Sequence, residues 1–309
     1  MAQGKGMNLE MVLESDSQLG YRNIDAGQCP GCPSNLASKL VMQIVLQAAE
    51  REEINVPLIF GQGCGIGRNF MQRSGIGLHD SQCVGLWLAM ELRGIERPIV
   101  VIDGDGQIDM GLDDVSGSFQ KGYPYLHIVC DNQGYSSSGT HSTGMTDPLA
   151  RTSTRPKGRI DKTERTVVRK QPAMMMKFSG ARYTATASTS HLSDFFKKVE
   201  RGLREGPAFI QLFTPCNVSW GYDDNQSSRI TRLGVTSGIW PMWEWGNEGF
   251  RRTVSFKRDD FSDALREFLG GQRRFGHLED QDVSFMERYV TDLNELVDRL
   301  EEGWGSKVA

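Results

Sequence analysis

Apolar residues along this chain recur in two rhythms, and their order predicts the architecture. The stretch "NLASKLVMQIVLQAAERE" (35–52) spaces them three and four apart, which gathers them on one helical face. Short, nearly unbroken apolar runs come next: "VPLIFG" (56–61), "RPIVVID" (97–103), "YLHIVCD" (125–131), "RYTATA" (182–187) and "AFIQLF" (208–213). They read as short buried strands. Helical stretches fall between and around them at 81–95, about 112–121, about 172–179 and 192–205. Strands alternating with helices imply right-handed crossovers, so the expected class is α/β, a largely parallel sheet with helices on both faces. From about 258 the pattern becomes amphipathic helix, with Phe285, Met286, Tyr289, Val290, Leu293, Leu296, Val297 and Leu300 on one packing face. The expected division is a main domain over 1–257 and a helical C-terminal extension over 258–309.

Composition narrows the class without naming a function. The 309 residues are 38% hydrophobic and 24% charged, with a formal net charge of −4. That is an ordinary soluble balance and argues against a nucleic-acid binder. The first residues lack a basic start followed by an apolar run, and no stretch approaches the roughly 18–20 apolar residues of a membrane span. A cytoplasmic protein is expected, and six cysteines in such a compartment point to ligation or burial rather than disulfides. The segment 136–170 is too long for a simple connection, which marks function or an interface. Its second half holds eight Arg or Lys residues against Asp161 and Glu164, and reads as a solvated or subunit-covering arm, or as a holder of phosphates or an acidic partner.

The chemistry begins at "VVIDGDGQIDMGLDD" (100–114), where a buried strand ends in glycines and acids. Ligands of parallel α/β sheets collect at the carboxyl ends of strands. Asp105 lies just past such an end, between Gly104 and Gly106, which allow a tight turn and close approach of a ligand. The next strand ends in "DNQGY", with Asn132 following Asp131. A carboxylate, an amide oxygen and a backbone carbonyl form a suitable set for Mg²⁺ that also holds phosphate oxygens. Alone, "GDG" and "DN" are common turn sequences; at this spacing on successive strand ends they are more specific. Asp103 is expected to support the strand end, and Asp109, Asp113 and Asp114 to lead into the following helix. "FGQGCGIG" (60–67) fails as a dinucleotide fingerprint, because the third glycine would fall at Ile66.

Four cysteines lie in loops: Cys29 and Cys32 in "QCPGCPS", Cys64, and Cys216 in "FTPCNVSWGY". They suit a [4Fe–4S] cluster, tetrahedral zinc or, for the C-x-x-C alone, a redox pair. Cys83 and Cys130 fall inside a helix and a strand and are expected to be buried thiols.

The GDG-to-Asn pairing resembles the thiamine diphosphate motif, whose metal ligands carry over to Asp105, Asn132 and the carbonyl of Gly134. The wider combination "CPGC…GQGC…GDG…DN…TPC", with "GPAFIQL" and "TRLGVTSGIWPMWEW" (231–245), resembles the β subunit of the 2-oxoacid:acceptor oxidoreductases, the pyruvate:ferredoxin oxidoreductase family. The resemblance implies a [4Fe–4S] cluster on Cys29, Cys32, Cys64 and Cys216. It also implies a thiamine diphosphate site drawing on Gly63, Cys64, His79, Gly104, Asp105, Gly106, Asn132 and Gly134. The aminopyrimidine half and its activating Glu would come from a partner subunit, so partners of alpha, gamma and ferredoxin-like delta type are expected. The implied reaction is decarboxylation of a 2-oxoacid, with coenzyme A receiving the acyl group and ferredoxin or an NAD-reducing subunit the electrons. Ser137 stands where the family carries Asn beside the reacting centre, and "LHDSQ" keeps His79 while changing its neighbours. Ser137 and His79 are the catalytic candidates, and the departures suggest a 2-oxoacid other than pyruvate, such as phenylglyoxylate. A noncatalytic zinc- or cluster-stabilised assembly module on the same fold is the alternative.

Overall fold

The computed structural model describes residues 29–51, 58–61, 80–94, 98–158 and 168–305. A seven-stranded sheet runs through it in the order β1-β2-β3-β5-β4-β6-β7. The strands are β1 (Leu58–Gly61), β2 (Ile99–Gly104), β3 (Tyr125–Asp131), β4 (Tyr183–Ser188), β5 (Ala208–Phe213), β6 (Trp243–Gly246) and β7 (Gly249–Arg252). The first five are parallel; β6 and β7 add an antiparallel edge. The helices are α1 (Pro33–Arg51), α2 (Asp80–Glu91), α3 (Asp105–Met110), α4 (Leu112–Gln120), α5 (Pro172–Phe178), α6 (Leu192–Glu205), α7 (Asn217–Trp220), α8 (Ser227–Thr236), α9 (Phe261–Gly270) and α10 (Asp280–Trp304).

Side chains alternate across a strand, so each central strand feeds two cores. Val100, Ile102, Leu126, Ile128, Ile210 and Leu212 face α1 and α6. Ile99, Val101, Val129 and Phe209 face the opposite way, toward α2, α4 and α5. Helices thus cover both faces, as the strand–helix alternation predicts. A third cluster joins Phe213, Trp220 and Trp240 to α8, α9 and α10. On α10, Met286, Tyr289, Val290, Leu293 and Val297 of the face read from the sequence are buried; Phe285 and Leu300 are half-buried, and Leu296 is exposed, at the rim of that face. A capping box of Glu279 and Asp282 fixes its start. Cys83 and Cys130 are buried, as expected.

Two features depart from the sequence reading. The β6–β7 hairpin was not predicted: its turn residues, Asn247 and Glu248, lack the Asn-Gly type of signature that marks a two-residue hairpin. Asp105 opens a short helix rather than lying in a loop, and only Gly111 separates that helix from α4.

The register sets the function. Gly104 pairs with Cys130, and Cys130 with Leu212, so β2, β3 and β5 end side by side at one edge. The chain therefore delivers Asp105, the 131–135 loop and the 214–220 segment to neighbouring positions. Asp103 stays inside the sheet, where its carboxylate meets His127 Nε2 of β3 at 3.3 Å, both side chains fully buried. It supports the strand end, as expected.

Candidate functional site

Asp105 is 1% exposed. Thr143 Oγ1 donates to its Oδ2 at 3.0 Å, and the Gly134 N–H also faces the carboxylate. Burial raises its pKa well above the ordinary carboxylate range, and the neighbouring Asp131 adds to the rise; the Thr143 and Gly134 donors oppose it. A Cβ at Gly104 would meet nothing, which leaves an open approach to the strand end. At Gly106 a Cβ would lie 2.9 Å from the Tyr135 ring, so this glycine is required by packing.

The second loop is shaped by its own acid. Gln133 N–H donates to Asp131 Oδ1 at 2.9 Å, and Gln211 Nε2 donates to Oδ2 at 2.7 Å. Burial pushes Asp131 up to about 6, against the nearby Arg169 charge and these donors. Ser136 Oγ donates to Asn132 Oδ1 at 3.0 Å and lies 3.5 Å from the Gly134 carbonyl oxygen. One hydroxyl thus reaches both oxygens, which places them together on the turn whose N–H faces Asp105. Among the described residues no three His, Cys, Asp or Glu side chains converge to hold a metal. The oxygen set here is instead mixed: carboxylate, amide and main-chain carbonyl. Hard oxygen donors beside two buried, mutually repelling carboxylates fit a divalent cation such as Mg²⁺.

Asp109 corrects the sequence reading. It does not simply lead into a helix; it accepts from Tyr135 Oη at 2.9 Å, Gly144 N–H at 3.0 Å and Lys170 Nζ at 2.6 Å. Burial opposes its ionisation, but these donors outweigh burial and hold the carboxyl below its ordinary range. Asp113 and Asp114 do stand in the first turn of α4. The 136–158 segment packs over the loop through Thr143, Met145, Thr146 and Asp147, all buried. The end of the cationic run is also not a solvated arm. Arg169 is 3% exposed and donates to Asp147 at 2.9 Å, while Lys170 closes on Asp109.

Sequence reasoning missed Thr143, Arg169 and Arg274. Their signal is long-range burial, which no local spacing carries. Ser137 is exposed on the turn Ser136–Ser138, and its neighbour Ser136 makes the contacts to Asn132 and Gly134. His79, Gly63 and Cys64 lie outside the described residues.

The cysteine loops meet on the same side. Asn217 Nδ2 donates to the Pro30 carbonyl at 2.9 Å, and Ser227 Oγ donates to the Gly31 carbonyl at 2.6 Å. Cys216 caps α7, accepting Ser219 N–H at 3.4 Å. Burial raises the Cys32 thiol pKa, the Asn35 and Ser34 N–H groups oppose this, and the nearby Cys216 and Cys29 thiols add to it. The Cys29, Cys32 and Cys216 thiols approach one another without converging on one point.

A GDG segment and a neighbouring Asn loop, together at the carboxyl edge of a parallel sheet, fit a thiamine diphosphate-binding α/β protein. The family model for the thiamine pyrophosphate enzyme C-terminal TPP-binding domain matches residues 67–212. Pyruvate synthase subunit PorB of Methanocaldococcus jannaschii is 36% identical over 198 residues, 63% of this chain and 64% of that protein. The same subunit of Methanothermobacter marburgensis is 34% identical over 67% of this chain and 71% of that protein. Ketoisovalerate oxidoreductase subunit VorB of Pyrococcus horikoshii is 29% identical over 71% of this chain and 70% of that protein. The match to the first of these spans just under two thirds of its length. The solved 2-oxoglutarate:ferredoxin oxidoreductase from Magnetococcus marinus, with 2-oxoglutarate, coenzyme A and succinyl-CoA bound, shares the fold. Its TM-score is 0.52 at 18% identity, over 85% of this chain and 92% of that one. This chain belongs to the family of PorB and VorB, the beta subunits of the 2-oxoacid:ferredoxin oxidoreductases.

Proposed function

We propose that this chain is the thiamine diphosphate-binding subunit of a cytoplasmic, multisubunit 2-oxoacid oxidoreductase that releases CO₂ and transfers the acyl group to coenzyme A. The observation that carries the reading is the gathering of Asp105, Asn132 Oδ1 and the Gly134 carbonyl around one turn, in a member of this family. These residues would hold Mg²⁺ and, through it, the diphosphate. When bound, thiamine diphosphate supplies the electron sink for decarboxylation. The chain's own part is to hold the site still. Thr143 fixes one Asp105 oxygen, and Ser136 aligns the amide and carbonyl oxygens. Tyr135, Asp109 and Lys170 brace the wall between the two loops. Gly63, Cys64 and His79 are proposed as further cofactor contacts. The aminopyrimidine half falls to a partner subunit, and ferredoxin or an NAD-reducing subunit takes the electrons. No helix among the described residues is long and apolar enough to cross a membrane. The division into a cofactor domain (1–257) and a helical extension (258–309) belongs to the same reading.

For the substrate, Ser137 supports a 2-oxoacid larger than pyruvate, an aryl one such as phenylglyoxylate. It is exposed at the end of the cation loop and is shorter than Asn, leaving space for a side chain. The assembled complex should form acyl-CoA with a higher kcat/KM for aryl than for short-chain 2-oxoacids. A panel of pyruvate, 2-oxoglutarate, branched and aryl 2-oxoacids measures this, and clear preference for pyruvate overturns it. A colourless zinc protein that never retains thiamine diphosphate in the complex would support the noncatalytic module instead.

The [4Fe–4S] cluster, with Cys29, Cys32, Cys64 and Cys216 as ligands, is supported by thiol type and by the apposition of the two described cysteine loops. Gly31 gives a test. Its φ is +67°, and a Cβ there would collide with the Asp224 carbonyl group. Gly31→Ala should separate the loops, costing roughly 1–2 kcal/mol locally from the left-handed backbone alone. Iron content and visible absorbance of the complex should fall, while thiamine diphosphate binding persists.

A further inference from the structure

Gln133 lies between two proposed cation ligands, Asn132 and Gly134, with φ at +60°. A non-glycine residue enters this left-handed region at a cost, so its surroundings must hold it there. Its carbonyl accepts Thr146 Oγ1 at 2.7 Å. Its side-chain Oε1 accepts Arg274 Nη1 at 2.9 Å, from 141 residues further along the chain. Gln133 Nε2 has no partner among the described residues, so the arginine is what orients this amide. The Arg274 guanidinium is itself immobilised. Nε donates to Gln272 Oε1 at 2.7 Å, Nη2 donates to Asp147 Oδ2 at 3.1 Å, and Cζ lies over the Trp220 ring, 3.3 Å from its centroid. Trp220 in turn donates Nε1 to the Asn132 carbonyl at 2.9 Å. The stacked Arg274–Trp220 pair therefore grips the loop twice, at the Asn132 backbone and at the Gln133 side chain.

We propose that Arg274 is a positioning residue for the cation-holding loop, keeping Gln133 left-handed so that Asn132 Oδ1 and the Gly134 carbonyl face one point. This rests on the assignment of Asp105, Asn132 and Gly134 above. The residue type follows from the geometry. Three directed donors in one plane, with a face stacked on an indole, are available to a guanidinium and not to an ammonium group. Stability alone does not explain a charge here, because a buried ion pair is often no more stabilising than apolar groups of similar volume.

The test compares Arg274→Lys, Gln133→Met and the double variant in the purified multisubunit complex. Binding of thiamine diphosphate at fixed magnesium is titrated calorimetrically, and the thermal midpoint is measured without cofactor. Gln133→Met removes the acceptor while leaving Arg274 paired with Asp147, so it reports the link even where Arg274→Lys fails to fold. Each single variant should weaken binding about tenfold, the scale at which groups behind a metal ligand act. The double variant should be no weaker than the worse single one, since both break one link, and the Gln133→Met midpoint should stay close to that of the unmodified complex. Unchanged binding in Gln133→Met, or losses that multiply in the double variant, overturns the clamp. An unmodified complex that binds no thiamine diphosphate removes the site assignment itself, an outcome distinct from intact binding that ignores position 133.

Discussion

Asp105→Ala in the assembled complex should abolish magnesium-dependent retention of thiamine diphosphate and lower turnover roughly a hundredfold or more. Asp105 is the sole carboxylate in the proposed ligand set, and its partners are neutral oxygens from Asn132 and Gly134. Without it, nothing in that set balances the cation's charge. The same substitution should leave the thermal midpoint of the cofactor-free complex unchanged or raise it by a few degrees. Burial and Asp131 raise the Asp105 pKa in the folded chain, so its ionised form is disfavoured by folding. That penalty is absent below the ordinary carboxylate range and grows as pH rises through it, so at neutral pH removing the carboxyl removes a cost. Binding and heat denaturation of one preparation check both halves. Retained cofactor with unchanged turnover would refute the ligand assignment.

Asp147→Ala should be the most destabilising single change near the site, by about 3–5 kcal/mol. Asp147 is fully buried and accepts from two buried guanidiniums, Arg169 at 2.9 Å and Arg274 at 3.1 Å. Removing it leaves two positive charges out of water. Arg169 retains the Ile239 carbonyl and Arg274 retains Gln133 and Gln272, but none of these carries a negative charge. In a chain of 309 residues the loss corresponds to a drop in thermal midpoint of roughly 5–8 °C. Urea or heat denaturation of the purified complex measures it. A loss below about 1 kcal/mol would show that the two arginines are compensated by something other than Asp147.

The central sheet was legible because parallel strands covered on both faces must be apolar throughout. β3 and β5 and helix α6 begin and end where their apolar patterns do. The antiparallel edge was not legible, since "WEWGNEGFRR" offers two four-residue strands and no strong turn residue. At the site, Asp105 and Asn132 could be read because both lie directly after strands. Asp109 could not: its place near a helix suggested a dipole role, whereas Tyr135, Gly144 and Lys170 converge on it from other segments. Arg169 sat in a run that looked like exposed charge, and only the packing of Asp147 and Trp240 around it shows otherwise.

By itself the sequence determined what depends on near neighbours: the periodicity of strands and helices, the short residues around Asp105, and the oxygen and sulfur donors placed in loops. Tertiary structure decided what depends on register and burial. The alignment of Gly104, Cys130 and Leu212 brings the two halves of the proposed cation site to one edge. The folding of Arg274 against Trp220 connects the C-terminal segment to that site. The physical reason is range. Propensity and turn chemistry act over a few residues, whereas the energy of a buried charge is set by whatever the fold packs around it.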